Sequence, residues 1–243
     1  MTAITALTAQ NTVGVTGIHP VPGEFIVAQV RAVVEDIGVD AVKIGMLGTA
    51  ETVRAVCEAL ELLDPVTPVV LDPVMVAESG AVLLDEPARA AIVAELLPRV
   101  TVITPNLPEA RVLAGNDDDD VEDLARRLHA LGPRAVIVTG GHRAQATDVF
   151  FDGDAIHLIP GERHPDGAAH GSGCTHSSAL AAHLALGHTP LEAARAAKRI
   201  AGEAVAAGIR DLGAGPGPVD VFDLTSRAAS GADTPRAATG PLP

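Results

Sequence analysis

Apolar residues recur with a helical period at Ile26, Val30, Val33, Val34 and Ile37. This predicts a helix over Pro22 to Ile37, with Pro22 suited to its first turn and Gly38 to its stop. Val53, Val56, Cys57 and Leu60 mark a second helix over Thr49 to Leu63. Further helices are expected over Asp85 to Leu97, Pro108 to Leu113, Val121 to Leu131, Cys174 to Leu186 and Pro190 to Ala207. Between them lie short apolar runs: Asp40 to Leu47, Val69 to Leu71, Val100 to Thr104 and Ala135 to Val138. Thr2 to Ala9 alternates Thr with apolar residues and reads as a strand, and Asp148 to Phe151 with Ala155 to Ile159 reads as a hairpin around Asp152-Gly153. Strands alternate with helices, and the middle strands carry little alternation of their own. That pattern argues an α/β fold with a mostly parallel sheet covered on both faces.

Composition narrows the class. The 243 residues are 47% hydrophobic and 20% charged, enough apolar content for a sizeable core. Seventeen basic residues stand against 31 acidic ones, a net charge of −14, and aromatics are 2% of the chain. Both features argue against a nucleic-acid partner, which needs a basic surface and stacking platforms. Two cysteines, Cys57 and Cys174, make no disulfide framework and fit a reducing compartment. No secretory signal follows Met1, and no apolar run reaches the ~20 residues of a membrane span. A cytoplasmic protein acting on small molecules, with no membrane partner, is the expectation. Whether it forms a homodimer is left open. One domain is expected over residues 1–212, then a Gly/Pro/Ala-rich tail over 213–243, disordered from about 225.

In parallel sheets, ligands gather at the carboxyl ends of strands. Four such ends carry unusual residues: Gly45-Met46, Asp72-Pro73-Val74-Met75, Thr104-Pro105-Asn106 and Thr139-Gly140-Gly141. The most informative segment is His170-Gly171-Ser172-Gly173-Cys174-Thr175. Two glycines let the backbone pass close to a ligand, and the helix behind them aims unpaired amides at the same spot. That arrangement suits an anion such as a phosphoryl group in transfer, although a plain Gly-rich helix start has the same pattern. No Walker-type P-loop occurs, and the Gly213-Ala214-Gly215-Pro216-Gly217 run has no helix behind it, so it is no dinucleotide fingerprint. Asn106 and Glu109, three apart at a helix start, suit either a hydrated Mg²⁺ with phosphate oxygens or a capping pair. Cys174 is a nucleophile or base candidate at a helix N-terminus, or simply a small helix residue, and Cys57 reads as core. His170, Cys174 and His176 have the wrong spacing for a zinc trio. His142 suits a nucleotide contact or an exposed turn.

Five segments occur in order. They are Thr5 to Thr12 (TALTAQNT), Val42 to Leu47 (VKIGML), Leu71 to Met75 (LDPVM), Thr104 to Ala110 (TPNLPEA) and His170 to Cys174 (HGSGC). In this combination the chain, up to about residue 210, resembles the hydroxymethylpyrimidine/phosphomethylpyrimidine kinases of thiamine biosynthesis, within the ribokinase superfamily. The resemblance implies a ribokinase-like three-layer sandwich around the mostly parallel sheet. It implies phosphorylation of 4-amino-5-hydroxymethyl-2-methylpyrimidine by ATP with Mg²⁺, and then phosphorylation of the monophosphate. By the same matching, Gln10 would bond the pyrimidine edge, with Met46 and Val74 lining its pocket. Gly171, Ser172, Gly173 and Cys174 would form the anion hole, with the Cys174 thiol beside the substrate hydroxyl. Asn106, Glu109 and Asp72 would order Mg²⁺ and phosphates, and Thr139 and Gly141 would lie near the nucleotide.

Thr139 and Glu78 stand where some members carry a phosphate-binding Lys. Members also have an upstream strand and a Gly-rich segment, whereas Met1 falls where their next strand begins. The expectation is therefore a sequence lacking that N-terminal strand. Losing about four buried side chains at ~1.5–3 kcal/mol each rivals the ~5–15 kcal/mol stability of a domain. Two alternatives stand beside the pyrimidine kinase: a pyridoxal-type kinase, and a non-catalytic pyrimidine-binding paralogue.

Overall fold

The computed structural model describes residues 1–76, 80, 83–116, 120–141, 146–165 and 168–224. Glu78, Ser79, His142, the first three residues of the acidic run 117–120 and the tail from 225 lie outside the described residues.

Six strands form the central sheet in chain order: β3 (Val42–Ile44), β4 (Val69–Leu71), β5 (Val102–Ile103), β6 (Ala135–Val138), β7 (Asp148–Phe151) and β8 (Ile156–Ile159). The pairs from β3 to β6 are parallel, and β7 and β8 add on antiparallel. Each parallel crossover is a helix: α2 (Ala50–Leu60), α3 (Glu86–Ala91), then α4 (Leu107–Ala114) with α5 (Val121–His129). These helices and α1 (Gly23–Asp36) cover one face, where Val69, Leu71, Ile103, Val136 and Val138 meet Val53, Ile92 and Leu124. The other face carries α6 (Ser172–Ala185) and α7 (Pro190–Ala206), packed by Leu180, Ala193, Ala194 and Ala197 on Val70, Val102 and Ile137. Successive strand residues thus enter opposite cores, which is why the strands read as unbroken apolar runs. The result is a three-layer α/β sandwich. Among the described residues, no helix is long and apolar enough to cross a membrane.

Several elements begin where local chemistry sets them. The Thr49, Asp85 and Thr189 side chains accept from amides of the first turns of α2, α3 and α7, and Asp120 does the same for α5. Beyond Ala91 the ladder of α3 loosens into a π-helical turn (Ile92–Leu96) and a 3₁₀ turn (Leu97–Arg99) around Pro98, which has no N–H to give.

Three sequence expectations need correction. The first strand is Ala6–Gln10, not Thr2 to Ala9, and it pairs outside the central sheet with an unforeseen partner. That partner, β2 (Val15–Pro20), runs antiparallel to β1 through a turn at Asn11, whose side chain accepts from the amides of Val13 and Gly14. In α1, Ile26 is buried and Val30, Val33 and Val34 are half-buried on the expected face, joined by Val27, whereas Ile37 lies past the last helical residue and is exposed. Residues 213–220, expected in the tail, return to the domain. Gly215 N–H donates to Thr12 Oγ1 (3.3 Å), His170 N–H to the Gly217 carbonyl (3.2 Å) and Val219 N–H to the His170 carbonyl (3.0 Å). Asp220 is buried and its N–H donates to the Ala204 carbonyl (2.9 Å).

Candidate active site

The strand order places the four unusual strand ends side by side, and the start of α6 faces them. Gly171 precedes α6 with φ 87° and ψ 5°, a left-handed conformation that a side chain would strain. It supplies no side chain to cap the helix. Ser172 N–H donates to the Ala169 carbonyl and Thr175 N–H to the Gly171 carbonyl, both at 2.9 Å. The amides of Gly173 and Cys174 lie between these bonds, at the positive end of a 14-residue helix.

Behind this mouth sits Asp72, buried at the end of β4. Its Oδ2 accepts from Ser177 Oγ at 3.0 Å, from the second turn of α6, and lies 3.4 Å from Lys43 Nζ. Lys43 was missed in the sequence, where it sits in the middle of an apolar strand. That placement was the available signal, because a lysine in a covered strand needs a partner. Cys174 is solvent-exposed as a residue. Even so, the protein packed round its thiol pushes its pKa up, aided by Asp72 and Glu109 and opposed by Lys43. Cys174, Lys43, Asp72 and Glu109 therefore share one electrostatic environment. Cys57 is buried, as expected.

Asn106 and Glu109 form a complete capping box at the start of α4. Asn106 Oδ1 accepts from Glu109 N–H (2.9 Å), and Glu109 Oε2 accepts from Asn106 N–H (3.0 Å). Glu109 also reaches past the box: its Oε1 accepts from Met75 N–H at 3.2 Å, fixing the loop after Asp72. Burial raises the Glu109 pKa, and the Asp72 charge adds to the rise against the bonds from Asn106 and Met75. Two carboxylates that repel in this way, beside an uncapped helix N-terminus, fit a Mg²⁺ ion that takes one or two carboxylates plus phosphate oxygens. Among the described residues no set of three metal-ligating side chains occurs.

Thr139 bridges Asn106 in parallel fashion, and its N–H donates to the Pro105 carbonyl at 2.9 Å. Gly141 is exposed next to it. Met46 and Val74 are half-buried at the ends of β3 and β4. Gln10 is not brought to Met46. Thr5 Oγ1 meets the Met46 carbonyl (2.8 Å) at the base of β1, and Gln10 lies at the strand's far end, ~17 Å along. There it lines a cavity of about 120 Å³ with Asn11, Thr12, Val13, His170, Gly215 and Pro216. A buried cluster behind Gly140, formed by Asp148, His176 and Lys198, had no counterpart in the motifs of the sequence.

The phosphomethylpyrimidine kinase family profile matches residues 1–220. A hydroxymethylpyrimidine/phosphomethylpyrimidine kinase of Rhizobium meliloti is 45% identical over 226 residues, covering 90% of this chain and 84% of that protein. The thiamine biosynthesis bifunctional protein ThiED of Geobacter sulfurreducens is 45% identical over 225 residues, 89% of this chain; the chain spans only 45% of that longer protein. Among solved structures, the pyridoxal kinase of Staphylococcus aureus in complex with AMP-PCP and pyridoxal superposes with a TM-score of 0.79 at 31% identity, covering 92% of this chain and 82% of that one. With a profile match over nearly the whole described chain and a relative 45% identical over most of both chains, the chain belongs to the phosphomethylpyrimidine kinase family.

Proposed function

We propose that the protein transfers the γ-phosphoryl group of ATP to the hydroxymethyl group of 4-amino-5-hydroxymethyl-2-methylpyrimidine, and then phosphorylates the monophosphate to the diphosphate, as a step of thiamine biosynthesis. The observation that carries this reading is the uncapped start of α6, set against Lys43, Asp72 and Glu109 with Cys174 at its mouth. The amides of Gly173 and Cys174, with Gly171 and Ser172 shaping the turn, hold the migrating phosphoryl oxygens. The alcohol oxygen bonds to phosphorus as the bond to the ADP oxygen breaks, and the alcohol proton leaves to the Cys174 thiolate where that form is present and otherwise to an oxygen of the transferred phosphoryl group. Because its surroundings keep that thiol protonated at neutral pH, the helix end and Lys43 supply most of the stabilisation, and proton transfer to sulfur grows as pH rises. Bound Mg²⁺ would neutralise phosphate charge, and Asp72 and Glu109 would hold it.

Met46 and Val74 flank the pyrimidine, and Gln10, at the far end of β1, stands apart from that pocket. Thr139, Gly141 and Asn106 face the nucleotide. Thr139 offers no cation to the phosphates, so the fixed amides carry that role. This reading puts the protein's work in the cytoplasm, on small-molecule substrates.

The pyrimidine reading rests on relatives at 45% identity, against 31% for the pyridoxal kinase. The test is ADP production with the hydroxymethylpyrimidine or pyridoxal as acceptor, with phosphorus NMR of the products. Preference for the pyrimidine and appearance of a diphosphate support the reading. Preference for pyridoxal overturns the substrate, and binding of the pyrimidine without ADP formation overturns the enzyme.

A further inference from the structure

One buried carboxylate outside the reacting centre joins three elements. Asp148 opens β7 and is 1% exposed. Its Oδ1 accepts from the Gly140 N–H at 2.7 Å and from Lys198 Nζ of α7 at 2.6 Å. Its Oδ2 faces His176 Nε2 of α6 at 3.5 Å, and neither of these two atoms has a hydrogen-bond partner among the described residues. The site around it is tight: a Cβ at Gly140 would collide with the Thr147 backbone, so only glycine fits there.

Buried ion pairs are poor stabilisers compared with apolar packing, because desolvation offsets their attraction. What this one does have is position. Thr139 and Gly140 are held on one side by Pro105 and Asn106, and on the other by Asp148. On α6, two neighbouring residues each meet a buried carboxylate from a different strand: Ser177 meets Asp72 of the β4 end, and His176 meets Asp148 of β7. Asp72 belongs to the phosphate side of the site, and Asp148 to the nucleotide side. Burial pushes the Asp148 pKa up, but His176 and Lys198 outweigh it and hold the carboxyl below its ordinary value.

We propose that Asp148 is a positioning residue for phosphoryl transfer. Its carboxylate, gripped by Lys198 of α7 and facing His176 of α6, registers the nucleotide-side turn Thr139 to Gly141 against the α6 turn that follows the anion hole. This rests on the kinase reading above and adds a residue that touches no reactant. Loss of the register misplaces ATP relative to the helix mouth while leaving the pyrimidine side, at Met46 and Val74, in place.

The test compares the full chain with Asp148→Asn and with His176→Gln. Readouts are thermal melting, ADP and pyrimidine binding by calorimetry, and steady-state kinetics. Both variants are expected to fold and to lose up to about 10²-fold in kcat/KM for ATP, with weaker ADP binding and a pyrimidine Kd close to that of the parent. If Asp148→Asn does not fold, His176→Gln, which leaves the Asp148–Lys198 pair intact, decides by the same criterion. Folded variants with parental ATP kinetics overturn the proposal. So does an equal loss of ADP and pyrimidine binding, which is the mark of general loosening. A parent chain that binds no ADP brings down the kinase reading, and this proposal with it, before any variant is compared.

Discussion

Lys43 Nζ lies 3.4 Å from Asp72 Oδ2, with side chains 19% and 9% exposed, at the foot of the helix that begins beside Cys174. A lysine in the first strand of the central sheet thus places positive charge under a thiol and a carboxylate that both take part in the proposed chemistry. Lys43→Met removes that charge and leaves Asp72 with Ser177 alone. We expect a stability loss of about 2 kcal/mol, below the ~3–5 kcal/mol of a fully buried pair because this one is partly exposed. Without the cation the thiol pKa rises further, so alkylation of Cys174 by iodoacetamide at fixed pH slows. Urea melts and alkylation rates check the two effects.

Cys174→Ala leaves the amides of the α6 mouth in place and removes the proton acceptor. Above the ordinary thiol range turnover should fall by about 10²-fold, the lower end for a general base, with a smaller loss at neutral pH where the thiol is protonated and pyrimidine Kd little changed in calorimetry. In the parent, kcat should climb as pH passes above the ordinary thiol range, because packing raises the pKa. In the variant that climb should be absent.

Asn106→Ala breaks the capping box of α4 at its first residue. The Glu109 amide loses its acceptor, and a stability loss of about 1 kcal/mol is expected in thermal melts. Glu109→Gln keeps the shape but halves the carboxylate charge beside the phosphates. It should raise the Mg²⁺ concentration needed for half-maximal turnover, measured in a magnesium titration, and lower the melting temperature as well, because its NH2 must face the N–H of Asn106 or Met75.

Asp148 carries a pH signature of its own. Its pKa in the folded chain is held down by His176 and Lys198 against the effect of burial. A depressed carboxyl contributes stability that is fully present above its unfolded value of about 3.9 and is lost as pH falls through the lower folded value. The stability gap between the parent and Asp148→Asn should therefore be present at about pH 5 and close as pH falls below about 4. Urea unfolding across that range measures it.

The parallel sheet and its helices were legible because apolar strands covered on both faces leave an unbroken signal, as in Ala135 to Val138. The uncapped start of α6 was legible because glycines ahead of a helix bare its first amides, a local effect that needs no distant partner. The β1–β2 hairpin was only half seen: Val15 to Pro20 is mostly exposed, so no apolar alternation marks it. Packing of residues 213–220 was hidden because it depends on backbone bonds to His170 and Thr12, which leave no compositional trace. The Asn106–Glu109 pair was ambiguous for a physical reason, since the structure shows one glutamate completing a cap and tying down Met75 beside Asp72. Lys43 and the Asp148 cluster escaped notice because their partners lie up to 50 residues away in the chain.

The central claim is that the α6 mouth receives the transferred phosphoryl group. A crystal structure with AMP-PCP and the hydroxymethylpyrimidine bound together tests it most directly. The account predicts the γ-phosphate within hydrogen-bond distance of the Gly173 and Cys174 amides, with the alcohol next to the Cys174 sulfur. A triphosphate seated away from Gly171 to Cys174, or a heterocycle on the far side of the sheet, would contradict it.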